Sequence, residues 1–189
     1  ILPRPGALRR VAEGLPRHGA GPVVLDPVMV AASGARLLTD DSLNDLKAVL
    51  IPLAHLITPN LPEAAELLGV PVAETEDDMR RQGEALLALG AGAVLMKGGH
   101  GTGPESVDLL ITPGEVTRFA ARRHPSRNTH GTGCTLSSAI TAGLAGGSDL
   151  KTSVGRAKAY ISGAIAAADA LDIGAGHGPV HHFFELWGK

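Results

Sequence analysis

Short apolar runs alternate along this chain with longer stretches in which apolar positions recur at helical spacing. Pro22-Val23-Val24-Leu25-Asp26 reads as a strand buried on both faces, and His55-Leu56-Ile57-Thr58 and Gly92-Ala93-Val94-Leu95-Met96-Lys97 repeat the pattern. All three end in polar residues. Between them, 40–49, 61–68 and 74–89 carry a helical period, the last with Thr75 as its cap and Met79, Leu86 and Leu87 turned inward. Strands alternating with helices predict βαβ units around a mostly parallel sheet, so the class is α/β.

The second half adds a different pattern. Val107–Ile111 and Val116–Phe119 flank a Pro113-Gly114 turn and predict an antiparallel hairpin joined to the sheet. Two helices close the chain, 134–144 and 150–171, the second placing Leu150, Val154, Ala157, Ile161, Ile165 and Ala168 along one face. No internal repeat, low-complexity tract or Pro/Ser-rich linker interrupts this order, so a single domain over residues 1–189 is expected.

Composition narrows the function. With 189 residues, 44% of them hydrophobic, the chain can build one full core. The 17 basic and 19 acidic residues leave a net charge of −2, without the basic excess that grips a phosphate backbone. Aromatics make up 3%, too few for a base-stacking platform, so nucleic acid is not an expected partner. Cys134 stands alone, which excludes an internal disulfide framework and suits a reducing, cytoplasmic compartment. The longest apolar stretches, 48–54 and 164–168, fall far short of the ~20 residues of a membrane span. The chain opens on Ile1 without an initiator Met or a signal pattern, from which a missing piece of the natural chain is expected.

In an open α/β sheet, ligands collect beyond the carboxyl ends of the strands. There lie Asp26, Asn60 with Glu63, and Lys97. Two carboxylates and one ammonium at one rim suit a magnesium ion and a polyphosphate, because Mg²⁺ takes oxygen ligands and keeps several waters. Plainer readings stand beside this one: Asp26 before Pro27 turns the chain, Glu63 offsets a helix dipole, and Lys97 is a solvated strand end.

A more specific segment is Asn128-Thr129-His130-Gly131-Thr132-Gly133-Cys134-Thr135, a glycine-rich turn running into a helix. Two glycines let successive N–H groups point inward, and the helix N-terminus adds partial positive charge, which together stabilise a transferring phosphoryl group. A thiol at that end, Cys134, is expected to have a lowered pKa and to handle a proton; the alternative is a small buried cysteine after a flexible turn. Other motifs fail. Gly98–Gly103 lacks the G-x-G-x-x-G order and reads as a flexible loop, no Gly-Lys-Ser/Thr occurs, and His177, His181 and His182 lack the neighbours of a zinc site.

Taken together, Leu25-Asp26-Pro27-Val28-Met29-Val30-Ala31 with Ser33-Gly34, Thr58-Pro59-Asn60-Leu61-Pro62-Glu63-Ala64, Lys97-Gly98-Gly99-His100 and 128–135 resemble the hydroxymethylpyrimidine/phosphomethylpyrimidine kinases of thiamine biosynthesis. The tail from Gly176 to Phe183 is similar to this family's ending, so the likeness runs from about Val23 to the last residue. The resemblance implies a ribokinase-like, three-layer α-β-α fold with a mostly parallel sheet and an antiparallel hairpin, lacking the family's N-terminal βαβ portion. It implies ATP and Mg²⁺ as cofactors and a small pyrimidine as substrate, with a homodimer as a common family arrangement. By the same resemblance Gly131, Thr132 and Gly133 form the anion hole and Cys134 stands where most ribokinase-like enzymes carry an aspartate that deprotonates the attacking hydroxyl. Asp26 and Glu63 become the metal and phosphate-side acids, Asn60 their neighbour, Lys97 and Thr129 nucleotide contacts, and Val28, with Cys134, part of the pyrimidine pocket.

Two departures accompany it. Where the family usually carries an Asp-Thr pair before the glycine turn, this chain reads Pro125-Ser126. A sheet lacking the N-terminal portion is also expected to expose an apolar edge. Two rival functions remain: a cysteine-bearing pyridoxal kinase, and a non-catalytic module that binds nucleotide or pyrimidine.

Overall fold

The structure, a computed structural model, describes residues 5–19, 21–30, 36–101 and 103–187. Ala31, Ser33 and Gly34 of the first motif lie outside the described residues. The order of elements is α1 (Pro5–Arg17), β1 (Val24–Leu25), α2 (Asp40–Asp45), β2 (Leu56–Ile57), α3 (Leu61–Leu68), α4 (Glu76–Leu87), β3 (Val94–Lys97), β4 (Glu105–Thr112), β5 (Glu115–Arg122), α5 (Thr132–Ala145) and α6 (Leu150–Ala166). The strands hydrogen-bond in the order β1-β2-β3-β4-β5, with β1, β2 and β3 parallel and β4 antiparallel to β3. The parallel set and the hairpin therefore stand as the apolar runs predict.

Two compact units divide the chain: Ile1–Gly101 with Val107–Arg118, and Thr102–Ser106 with Phe119–Lys189. In the first, Met29, Ile51, Ile57, Leu67, Leu86, Val94, Met96 and Ile111 are fully buried in one core. The central strands β2 and β3 are hydrophobic without alternation because both of their faces are covered, whereas β5 alternates and is largely exposed. Helix α4 starts where its sequence says: Thr75 accepts from the Asp78 N–H while the Asp78 carboxylate accepts from the Thr75 N–H. Helix α3 has the same reciprocal cap, built by Asn60 and Glu63.

Helix α1 was not expected. It buries Leu8 and packs Ala12 and Leu15 on the core, while Arg9 forks onto Asp45 at 2.7 and 2.9 Å and holds that carboxyl below its ordinary range. The helix expected over 40–49 is α only to Asp45, continues as a π-helical stretch over Leu46–Leu50, and ends as 3₁₀ at Ile51–Leu53. Pro52 forbids regular continuation there. The expected loop after Lys97 begins with a 3₁₀ turn, Gly98–His100.

In the second unit α5 and α6 pack together and bury Leu136, Ile140, Val154, Ala157 and Ile161. Helix α5 begins at Thr132, two residues before the expected start, and α6 ends at Ala166, followed by a 3₁₀ turn at Ala168–Ala170. The chain beyond it returns along α6. The His181 N–H donates to the Ala164 carbonyl at 3.0 Å, the Tyr160 hydroxyl donates to the His182 carbonyl at 2.8 Å, and the Phe184 ring seats against Gly163. Among the described residues no helix is long and apolar enough to cross a membrane.

Candidate functional site

Parallel pairing brings the polar ends of the three strands together. Register places Leu25 beside Ile57, so Asp26 and Thr58, the next residues on each strand, share one face. The Thr58 hydroxyl donates to Asp26 Oδ1 at 3.0 Å, and Lys97 Nζ reaches the same oxygen at 2.8 Å. Thr58 is fully buried, and the Asp26 and Lys97 side chains are 13% and 12% exposed. Asp26 thus turns the chain and carries a charge: the Val28 N–H folds back onto the Asp26 carbonyl across Pro27 at 2.9 Å, leaving Val28 half-buried. Lys97 is a largely buried ion-pair partner, which excludes the solvated strand end. Thr58 had no role assigned from sequence, although it ends β2 as Asp26 ends β1.

Asn60 and Glu63 stand beside this pair. A bridge aligns Asn60 with Lys97, whose N–H donates to the Pro59 carbonyl at 2.9 Å. Asn60 Oδ1 accepts from the Glu63 N–H at 2.8 Å, and Glu63 Oε2 accepts from the Asn60 N–H at 2.7 Å. The plain reading of Glu63 therefore holds in part, since the side chain fastens the start of α3. It is also buried, and desolvation pushes its carboxyl above the ordinary range, with the Lys97 charge opposing and Asp26 adding to the rise. Gly98 follows Lys97 so close to the Val107 carbonyl that no side chain fits there, and its N–H donates to Asp108 at 2.9 Å.

Asp26 and Glu63 together offer hard oxygen donors in a partly dry setting. Among the described residues no group of three or more His, Cys, Asp or Glu could hold a metal on its own. Two carboxylates fit Mg²⁺ of the kind completed by phosphate and water oxygens, and a cation would offset the cost of ionising Glu63.

The glycine turn belongs to the other unit. Gly131 caps α5 with φ +85°, a left-handed conformation that disfavours any residue with a Cβ. The Thr132 N–H and hydroxyl both turn back to the Thr129 carbonyl, at 3.2 and 2.7 Å, and the Thr135 N–H donates to Gly131 at 2.9 Å. Among the described residues nothing accepts from the N–H groups of Gly131, Gly133 and Cys134. Those three donors, with the positive end of α5, can take an anion; the Thr132 amide is already engaged. Cys134 is a free, exposed thiol in the first turn of α5, which removes the buried-cysteine alternative. Thr129 is exposed and offers its carbonyl to the turn itself. In place of the family's Asp-Thr pair, the Ser126 hydroxyl donates to Asp169 and accepts from the Asn128 N–H.

The histidines near the end have other partners. His177 Nδ1 lies 3.1 Å from the Arg127 carbonyl, and His181 is buried edge-on to Trp187.

Comparison with known proteins matches residues 1–181 to the family described as Phosphomethylpyrimidine kinase. The hydroxymethylpyrimidine/phosphomethylpyrimidine kinase of Rhizobium meliloti is 50% identical over 187 residues, covering 99% of this chain and 70% of that protein. The thiamine biosynthesis bifunctional protein ThiED of Geobacter sulfurreducens is 46% identical over 91% of this chain and 34% of its own length. Among solved structures, an ADP complex of Bacillus subtilis pyridoxal kinase superposes with a TM-score of 0.90 at 33% identity, over 98% of this chain and 69% of that one.

Proposed function

This chain belongs to the phosphomethylpyrimidine kinase family, and from that premise we propose that it transfers the γ-phosphoryl group of ATP to hydroxymethylpyrimidine, its monophosphate, or both, within thiamine biosynthesis. The observation that carries this reading is the glycine turn: three N–H groups without acceptors among the described residues and an exposed thiol, all at the N-terminus of α5.

Cys134 Sγ accepts the proton of the attacking hydroxyl as the new O–P bond forms and the bond to the leaving ADP oxygen breaks. The N–H groups of Gly131, Gly133 and Cys134 meet the charge on the moving group, and being fixed beforehand they need no reorganisation. Lys97, released in part from Asp26, contacts a nucleotide phosphate, and Thr129 lies on the nucleotide side. Val28 lines the pyrimidine pocket. Asp26 and Glu63 would hold Mg²⁺, which supplies neutralisation of phosphate charge when bound.

The test supplies Mg·ATP with hydroxymethylpyrimidine, its monophosphate and pyridoxal in turn, reading ADP release. Turnover of the pyrimidines above that of pyridoxal is expected. Preference for pyridoxal would move the assignment to the activity of the Bacillus subtilis neighbour, and ADP release with none of the three would favour a binding module.

A further inference from the structure

The glycine turn does not hold itself. The segment entering it is fastened by one amide side chain, Asn128, whose polar atoms are spent on two different parts of the second unit. Oδ1 accepts from the Gly178 N–H at 3.0 Å; Nδ2 donates to the Ala168 carbonyl and to Asp169 Oδ1, both at 3.2 Å. The next residue but one continues the same seam, with the His130 N–H on the Gly178 carbonyl at 3.1 Å and the Val180 N–H on the His130 carbonyl at 3.2 Å. Segment 178–180 is itself immobilised, because the residues just after it dock on α6 through His181, His182 and Phe184. A Cβ at Gly178 would collide with the Asn128 side chain, so it is admitted only if Asn128 moves.

We propose that Asn128 is a positioning residue for phosphoryl transfer, which holds the N–H groups of the turn in place by tying the turn to the C-terminal segment and to the end of α6. This rests on the function proposed above. The chemistry requires an amide. Facing Ala168 and Asp169 there must be donors, and facing the Gly178 N–H an acceptor, a combination that a carboxylate, a hydroxyl or an alkyl group cannot supply. Preorganised donors lose their advantage when displaced by about 1 Å, a displacement that costs on the order of 10²-fold in rate.

The test is steady-state kinetics on wild type, Asn128→Asp, Asn128→Ser, Gly178→Ala and the Asn128→Ser/Gly178→Ala double variant, with thermal melting of each. Asn128→Asp places a carboxylate oxygen against the Ala168 carbonyl and Asp169; should it fail to fold, Asn128→Ser, which only deletes bonds, carries the reading. The expected result is a kcat lowered by roughly 10- to 10²-fold with the pyrimidine KM within about twofold of wild type. In the double variant kcat falls no further than in the weaker single one, because both changes act through one contact. A kcat within twofold of wild type in a folded Asn128 variant overturns the proposal, as do kcat losses that multiply in the double variant. Absence of wild-type turnover on every acceptor overturns the function reading instead, so the two failures are told apart.

Discussion

Lys97 Nζ and the Thr58 hydroxyl converge on one oxygen of Asp26, so a single carboxylate joins the ends of all three parallel strands. Replacing Asp26 by Asn keeps an acceptor for Thr58 but leaves a largely buried ammonium without its counter-charge. Loss of one partner of a buried pair costs about 3 kcal/mol. Urea unfolding of Asp26→Asn is expected to show a loss of this order, and the double variant Asp26→Asn/Lys97→Met to recover most of it. Equal stability of the two variants would contradict the pairing.

Glu63→Gln separates cap from charge. Gln still accepts from the Asn60 N–H, so α3 remains capped. In wild type the raised carboxyl pKa means that the folded chain holds this proton more tightly than the unfolded one. The stabilisation from this group is therefore complete below the ordinary carboxylate range and is lost as pH rises through the raised value. Melting temperature from pH 4 to pH 8 is expected to fall less in Glu63→Gln than in wild type, and added Mg²⁺ is expected to raise it less.

Gly133→Asp places a carboxylate among the N–H groups of Gly131, Gly133 and Cys134. The dipole of α5 favours that charge, so the folded state is retained while the place of the phosphoryl group is taken. Turnover below detection with an unchanged or higher melting temperature is expected. Activity above a tenth of wild type would remove the turn from the reaction.

Cys134→Ala tests proton transfer alone. The thiol is exposed, so stability should stay within about 0.5 kcal/mol of wild type. A kcat lowered by roughly 10²-fold is expected if the thiol takes the hydroxyl proton; an unchanged kcat would leave Cys134 as a pocket wall.

Strand ends were legible because buried parallel strands are short apolar runs, and the polar residue that stops each run is the one delivered to the rim. Caps were legible for the same local reason, Thr75 with Asp78 being three residues apart. Helix α1 was obscured by Pro5, Gly6, Gly14 and Pro16, which punctuate a sequence whose Leu8, Ala12 and Leu15 do keep helical spacing. Pro5 is tolerated because the first helical residue needs no N–H partner. The π-helical stretch after Asp45 left no local signature. The seam between 128–130 and 178–180 joins residues fifty apart, and no periodicity reports a contact of that range. Thr58 was in view as a strand residue, but its role depends on the register that sets it beside Asp26.

The reciprocal cap of α3 limits the denticity of its own acid. With Oε2 held by the Asn60 N–H, Glu63 can present one oxygen to a cation while the helix start stays closed. Mg²⁺ accepts such single-oxygen ligation within its octahedron, whereas Ca²⁺, which often grips a carboxylate by both oxygens, would have to unfasten the first turn to do so. With Mg²⁺ bound as proposed, ion selectivity would thus follow from a helix-initiating hydrogen bond.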